Sequence, residues 1–366
     1  MNILIADGGT GGHIFPAIAV ADEMKKRSGI ERILFTGTSL GLESEIVPRH
    51  NYELKLIKVG GLIGKSWMTR LKTLLQLPLA YRQGVKIIKE FRPSVAIGFG
   101  AYASGPVLVA ARRRKVPILL VEPNAVPGFT NRMALRMAAR VAVPYEDRRG
   151  VFAGKAVVTG TPVRPMHPAP QLPGKFTLGI FGGSQGSRGI NRTIVEALPQ
   201  LAERRDRLHI IHQTGKSDFD WVREQYQNNA PSFEVIPFVY EVEQFYNRCH
   251  LLVCRSGAIT LAELTSMGKP AVLVPLPTAT HNHQEENARR LEEAGAARMI
   301  LQKDFSPAAL LRELDFFETS PTELTKMADA SRKLGRPDAT KAVVDLALSL
   351  ADQEPKTKNQ KGQEAE

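Results

Sequence analysis

Cysteine is nearly absent from this chain, with two residues in 366, Cys249 and Cys254. That number excludes a disulfide framework and, with no secretory leader ahead of the first apolar strand, gives the expectation of a cytoplasmic protein. Long apolar runs are missing too. None approaches the roughly 18 residues that a membrane-spanning helix requires, so any bilayer contact is expected to be peripheral. Acids are short relative to bases, 37 against 49, leaving a formal net charge of +12. An excess of that sign points to an anionic partner, whether nucleic acid, an acidic membrane surface or a phosphorylated substrate. Charge alone does not choose among them.

Glycine, by contrast, is plentiful and clustered. In the stretch from Leu178 to Asn191, LGIFGGSQGSRGIN, a short apolar run stops at glycines and small polar residues, and a helical pattern resumes at Ile190, Ile194 and Leu198. This predicts strand, tight loop and helix, a unit whose loop amides and helix N-terminus suit a phosphate group. The same unit opens the chain, where Ile3 to Ala6 run into GGTGGHIFPAIAVADEM. Two copies imply two nucleotide-type domains, expected to face one another across a cleft.

The alternation of strand and helix supports that division. Strands are predicted at 3–6, 33–36, 95–98, 118–121, 141–143 and 156–159, then at 178–181, 209–214, 234–237, 251–254, 271–275 and 297–300. Each half reads as a parallel sheet covered by helices, that is, a doubly wound α/β domain. The Pro- and Gly-rich segment from Thr159, TGTPVRPMHPAPQLPG, is the expected linker, with domain one at 1–161 and domain two at 162–337. An amphipathic helix is predicted at 338–352, and the tail 353–366 reads as disordered.

Several loops carry side chains suited to chemistry. The first loop is no dinucleotide fingerprint, because Ile14 stands where the third glycine belongs and the second strand ends in Phe35, Thr36 and Gly37 rather than an acid. The loop at Gly182 breaks that spacing as well. His13 falls where the first loop turns into a helix, and the positive helix end favours a neutral imidazole, as a base needs; a structural histidine bonding the loop backbone is the alternative. IGFGAYASGP from Ile97 is a third glycine cluster. Close strand-to-helix packing accounts for its Gly105 and Pro106, whereas Tyr102 and Ser104 are candidates to face the cleft. Asn124, in EPNAVPGFTN, suits a sugar hydroxyl or a turn. Glu263, in CRSGAITLAEL, suits a ribose diol or simply complements a helix dipole. His281, His283, Gln284 and Asn287 follow a later strand; no Cys, Asp or third His lies at ligand spacing, so sugar contacts are favoured over a metal. GGLIGKS from Gly60 is one residue short of a P-loop, and Asp218 and Asp220 form a D-x-D better read as helix N-terminal acids.

Residues 62–91 bear on membranes. Leu62, Ile63, Trp67, Met68, Leu71, Leu74, Leu75 and Leu77 interleave with Lys65, Arg70, Lys72, Arg82 and Lys86, and Glu90 is the segment's one acid. Such a segment suits docking on anionic lipid, each cation near the surface adding on the order of 1 kcal/mol. A helix pair with its apolar side in the core is the alternative.

Taken together, GGTGGHIFPA, GFGAYASGP, EPNAVPG, TGTPVR, GGSQGSRGIN, CRSGAITLAE and HQEENA, in this order and spacing, resemble the MurG family over about residues 1–352. The resemblance implies the GT-B architecture, two Rossmann-like domains facing a cleft, with the helix at 338–352 returning to domain one. It implies an inverting transferase that moves GlcNAc from UDP-GlcNAc to the MurNAc 4-hydroxyl of lipid I, the undecaprenyl-diphosphate-linked acceptor, to form lipid II. Alternatives are a GT-B enzyme for another lipid such as diacylglycerol, a UDP-sugar epimerase and a non-catalytic nucleotide-sugar binder.

Carried over by motif, the donor would be held by Ser184 and Arg164 at the diphosphate, backbone at Val239 at the uracil, Glu263 at the ribose, and Ala258, Ile259 and Gln284 at phosphate and sugar. Thr10, Gly11, Gly12, His13 and Asn124 would close over the sugar, with His13, Asn124 and Glu263 the expected catalytic set. His283 stands where the family often has a second glutamine. Leu62, Ile63, Lys65, Trp67, Met68, Arg70 and Lys72 would form the docking patch. The resemblance further implies no metal, no resident cofactor and no nucleic acid. It implies the cytoplasmic face of the cell membrane, and cell-wall synthesis and division proteins as partners.

Overall fold

The computed structural model describes residues 1–8, 11–39, 41–60, 67–170, 174–229, 232–279 and 282–352, without side chains at 11, 67–72, 74, 228 and 229. The chain divides into two compact units. The first comprises Met1–Pro123, Pro127–Pro162 and the chain from Asp338 on; the second comprises Asn124–Val126 and Val163–Pro337.

The first unit holds β1 (Asn2–Ala6), β2 (Arg32–Gly37), β3 (Glu53–Leu56), β4 (Val95–Gly98), β5 (Ile118–Val121), β6 (Arg140–Val143) and β7 (Ala156–Val158). They form one seven-stranded sheet in the order β3-β2-β1-β4-β5-β6-β7. Every neighbouring pair is parallel. Its helices are α1 (Gly11–Met24), α2 (Glu43–Arg49), α3 (Trp67–Phe91), α4 (Ser104–Arg113), α5 (Phe129–Ala134) and the late α13 (Ala339–Ala351). Both faces of the sheet are covered, which is why its central strands β1, β4 and β5 are almost wholly apolar rather than alternating. Along β1, Ile3 and Ile5 enter one core with α1 and α13, while Leu4 and Ala6 enter the other with α3 and α4. From α13, Val343, Val344, Ala347 and Leu350 complete the first of these cores.

The second unit repeats the plan with β8 (Phe176–Phe181), β9 (Leu208–Gln213), β10 (Ser232–Ile236), β11 (Leu251–Cys254), β12 (Ala271–Leu273) and β13 (Arg298–Met299). The order is β10-β9-β8-β11-β12-β13, parallel throughout. It carries α6 (Arg188–Ala202), α7 (Phe219–Asn229), α8 (Val242–Arg248), α9 (Ala258–Met267), α10 (His283–Glu293), α11 (Pro307–Thr319) and α12 (Pro321–Leu334). In each sheet the order reverses beside the first strand, between β1 and β4 and between β8 and β11. Ligands of doubly wound sheets gather at the carboxyl ends of strands at such a reversal.

Two elements differ from the sequence reading. β3 was not expected, because Glu-Leu-Lys-Leu is a short edge strand whose residues are all at least partly exposed, so no apolar run announces it. The segment 67–91 is one helix that continues through Pro78, not a pair. Its later half is core, with Ala80, Ile87, Ile88 and Phe91 buried, yet Leu75 is 73% exposed and Leu79 is 47% exposed.

Candidate functional site

Every loop singled out by sequence stands at the carboxyl end of a parallel strand, where the chain must turn from sheet to helix. In the first unit, the loop after β1 passes Asp7 and Gly8 and enters α1, of which His13 is the third residue and half-buried; Gly12 before it is exposed. Pro16 lies further into the helix than an opening proline would, as the sixth residue, and has no N–H to offer the Gly12 carbonyl. Gly11 begins the helix, and Thr10 lies outside the described residues.

Beneath this loop sits a buried acid pair that sequence reasoning missed. Glu43 is 1% exposed and accepts from the Thr38 amide at 2.7 Å and the Thr38 hydroxyl at 3.0 Å. Gly8, Gly37 and Gly41 wrap around it so closely that a Cβ on any of them would meet its side chain within 2.7 Å. Asp7, also 1% exposed, has its carboxyl pushed up to about 7, first by burial and further by the charge of Glu43, with the Gly8 amide pulling back. A polar residue ending an apolar strand just before glycine was the available signal.

After β4 the third glycine cluster behaves differently from expectation. Gly105 faces open space and needs no close packing; the crowded glycines are Gly98, against Leu108 and Leu120, and Gly100, at φ +90° beside Asn131. Ser104 is fully buried and donates to the Ala101 carbonyl at 2.7 Å, so it closes its own turn rather than facing a ligand. Tyr102 remains half-buried, its hydroxyl 3.4 Å from that of Thr38. After β5, Glu122 accepts from the Gly128 amide at 2.8 Å and from Asn131 at 3.0 Å, fixing the turn that follows.

In the second unit, Gly182 follows β8 and Ser187 caps α6, accepting from the Ile190 amide. Gly183 at φ +85° and Gly186 at φ +76° make the intervening turn, which leaves Ser184 exposed. Beside it on β11 the chain passes Arg255, Ser256 and Gly257 into α9. Because the N-cap is Gly257, no side chain occupies the first amides of α9, and Ala258 and Ile259 lie there half-buried. Glu263, on the same helix, is 5% exposed and accepts from the Tyr246 hydroxyl at 3.0 Å. Burial pushes its carboxyl up to about 7, against the opposing pull of Arg164 and Tyr246. Arg164 itself is exposed.

The loop after β12 supplies Gln284, whose side-chain oxygen accepts from the Leu276 amide at 3.0 Å and whose carbonyl accepts from Ser256 at 2.8 Å. Asn287, expected at a sugar, is 1% exposed and structural: it donates to Asn124 at 3.2 Å and accepts from the Ala125 amide at 3.0 Å. That grip explains why Asn124–Val126 belong to the second unit. Val239 is buried in the turn between β10 and α8, flanked by Phe238 and Tyr240 at a ring separation of 4.9 Å. Asp218 immediately precedes α7 and its carboxylate accepts from Asn191 at 3.0 Å, while Asp220 is an acid of that helix's first turn, as its sequence position suggests. Leu62, Ile63, Lys65, His281, the GGLIGKS stretch after Gly60 and the tail from 353 lie outside the described residues. So do the side chains of Trp67, Met68, Arg70 and Lys72.

Within each unit, then, helix N-termini and glycine turns converge on the sheet's point of reversal. In the second unit this places the N-terminal ends of α6 and α9 on adjacent strands, the first capped at one amide by Ser187 and the second with a glycine N-cap, Phe181 being paired with Cys254. Such a juxtaposition offers two sets of amides and two partial positive charges to one anionic ligand.

Comparison with known proteins bears on what that ligand is. Residues 3–143 match the glycosyltransferase family 28 N-terminal domain, and residues 177–343 match its C-terminal domain. The chain is 41% identical over 359 residues to a "UDP-N-acetylglucosamine--N-acetylmuramyl-(pentapeptide) pyrophosphoryl-undecaprenol N-acetylglucosamine transferase" of Myxococcus xanthus, covering 96% of this chain and 93% of that protein. It is 39% identical to the Geobacter sulfurreducens protein of the same name, covering 97% and 100%. Among solved structures it is similar to Acinetobacter baumannii MurG, with a TM-score of 0.80 and 31% identity over 95% of this chain and 99% of that one. A UDP-GlcNAc 2-epimerase of Neisseria meningitidis shares the fold at a TM-score of 0.68 but only 15% identity.

Proposed function

Because this chain belongs to glycosyltransferase family 28 and, within it, to the MurG family, we propose how its residues divide the work of GlcNAc transfer. The protein is a GT-B glycosyltransferase that moves GlcNAc from UDP-GlcNAc to the MurNAc 4-hydroxyl of lipid I, forming lipid II for peptidoglycan synthesis. The reaction is an inverting displacement, in which negative charge develops on the departing UDP. Fixed donors aimed at that charge are the largest source of rate.

The donor lies on the second unit. Its diphosphate meets the Ser184 turn, the N-terminus of α6 and the Arg164 guanidinium. The uncapped amides at Ala258 and Ile259, with Gln284, serve phosphate and sugar. Glu263 accepts from the ribose hydroxyls through the carboxylate oxygen that Tyr246 leaves open, and backbone at Val239 reads the uracil. The observation that carries this reading is the pairing of two helix N-termini at one sheet reversal, that of α9 left open by its glycine N-cap. With a guanidinium and two helix ends at the leaving group, the chemistry asks for neither a metal nor a resident cofactor.

In the first unit, the glycine loop at Gly11 and Gly12 serves the acceptor diphosphate, Thr10 closes over the transferred sugar and His13 is the base for the MurNAc hydroxyl. Asn124 holds the transferred sugar, its position set by Asn287. Residues 62–79 dock on anionic lipid at the cytoplasmic membrane face. The 73% exposure of Leu75 and 47% exposure of Leu79 support this. Cell-wall synthesis and division proteins are the partners such a position makes available. No nucleic acid has a part in this reading.

The test uses purified protein, UDP-GlcNAc and a lipid I analogue, with and without EDTA, following lipid product and released UDP. EDTA-resistant formation of a GlcNAc-β-1,4-MurNAc product is expected. UDP release with water or another lipid, and none with lipid I, would replace this reading with that of another acceptor or an epimerase. A His13→Ala protein that kept near wild-type turnover would remove His13 from the role of base.

A further inference from the structure

β9 runs through the interior of the second sheet, and one of its residues is unlike its neighbours. His212 has no exposed surface, and burial drives its imidazole down to about 3, so the ring is neutral. Both nitrogens are engaged: Nε2 lies 3.0 Å from the Asn191 side-chain oxygen and Nδ1 lies 3.1 Å from the Tyr226 hydroxyl. The protonation pattern follows from Asn191. Its amide nitrogen donates to the Thr214 carbonyl at 2.9 Å and to Asp218 at 3.0 Å, and a carbonyl can only accept. The Asn191 oxygen therefore faces His212 as acceptor, Nε2 carries the proton, and Tyr226 donates to the bare Nδ1.

This chain of bonds ends on the donor loop. The Thr214 carbonyl, which Asn191 holds, is the atom against which Gly186 is seated: a Cβ there would lie 1.9 Å from it. From the other side, a Cβ on Gly215 would lie 2.1 Å from the Gln185 carbonyl. The two turns are thus in direct contact, and the Gln213 side chain ties them again by accepting from the Gly182 amide at 3.1 Å. A tilt of the Thr214 carbonyl displaces Gly186, and with it the Ser184 turn and the start of α6.

We propose that His212, as its Nε2–H tautomer, is a positioning residue for the donor diphosphate, acting through Asn191 and Thr214 on the Gly182–Gly186 loop. This rests on the donor site proposed above. His212 never touches the nucleotide. Its Nε2–H anchors the oxygen end of the Asn191 side chain, whose nitrogen holds the Thr214 carbonyl, and hence the height of the loop.

His212→Phe keeps the ring and removes both polar contacts, whereas His212→Gln keeps an N–H where Nε2 stood. The Phe variant is expected to raise the UDP dissociation constant, measured by calorimetry, and the KM for UDP-GlcNAc about tenfold, with KM for the lipid I analogue unchanged. The Gln variant is expected to recover most of that loss. Nitrogen-15 spectra of histidine-labelled wild-type protein are expected to show the Nε2–H tautomer, without titration between about pH 5 and 8. Unchanged UDP affinity in a folded Phe variant, or an equal rise in both KM values, overturns the proposal. A wild-type Nδ1–H tautomer overturns it even if the Phe variant does not fold. UDP that fails to bind wild-type protein overturns the donor site itself, and the proposal with it.

Discussion

Single buried acids give this protein a pH-dependent stability. Asp7 and Glu263 each have a carboxyl raised to about 7 chiefly by burial. The unfolded chain ionises them in the ordinary carboxylate range, so between there and about pH 7 the folded state holds the extra protons. Stability is then fully present below that range and is lost as pH rises toward about 7. Asp7→Asn, which cannot ionise, is expected to unfold at the wild-type temperature near pH 4 and several degrees higher at pH 8, a difference worth a few kcal/mol at most. Thermal melts at the two pH values read this directly; an equal shift at both would show that packing, not ionisation, is responsible. On the proposed donor site, Glu263→Gln is expected to raise the UDP-GlcNAc KM about tenfold while sparing the acceptor KM, by replacing the carboxyl group offered to the ribose. His13, Asn124 and Glu263 stand out in the sequence because each lies in or shortly after a strand-to-helix loop, whereas Arg164 enters only through the family resemblance. Asp7, Glu43 and His212 were not singled out, since their partners come from other elements: Glu43 closes on three glycines of two loops, and His212 on α6 and α7.

At the level of elements, the glycine clusters separate into those the fold requires and those it leaves open. Gly100→Ala is expected to destabilise the first unit by about 1–3 kcal/mol, since its φ of +90° and the Asn131 side chain both oppose a Cβ. Gly105→Ala, in α4 with open space around it, is expected to be neutral or to stabilise by up to about 1 kcal/mol. Chemical denaturation of the pair measures the contrast. Periodicity located twelve of the strands because buried parallel strands are continuous apolar runs; β3, half-exposed at the edge, has no such run. The last helix, α13, shows its amphipathic face in the sequence, but nothing in that pattern says which core receives it. Val343→Ala is expected to cost about 2 kcal/mol in the first unit, because Val343 has no exposed surface and its helix packs against α1, β4 and β5 in the first core.

For the whole molecule, the net charge of +12 and the exposed apolar residues of α3 give a salt-dependent prediction. Vesicles containing anionic lipid are expected to pellet the protein at low salt and to release it as salt shortens the Debye length below about 8 Å. Trp67→Glu is expected to weaken that pelleting several-fold without changing UDP affinity. Equal pelleting with neutral vesicles would show that apolar contact alone suffices and that the basic residues have another use.

The amino-acid sequence by itself determined the class of fold, the duplicated plan of two doubly wound sheets and the positions of the glycine turns between strand and helix. Each of these is written in local periodicity and glycine placement, which neighbouring residues decide among themselves. It also carried, through seven motifs in fixed order, the family to which the chain belongs. Tertiary structure alone decided that Asn287 draws Asn124–Val126 into the second unit and that Asp7, Glu43 and His212 are buried beneath the strand-to-helix loops; that α13 joins the first core was implied by the family resemblance, not by the helix's own pattern. Those outcomes depend on contacts between residues far apart in the chain, and burial, which sets both the packing and the protonation of such groups, exists only once the chain has closed around them.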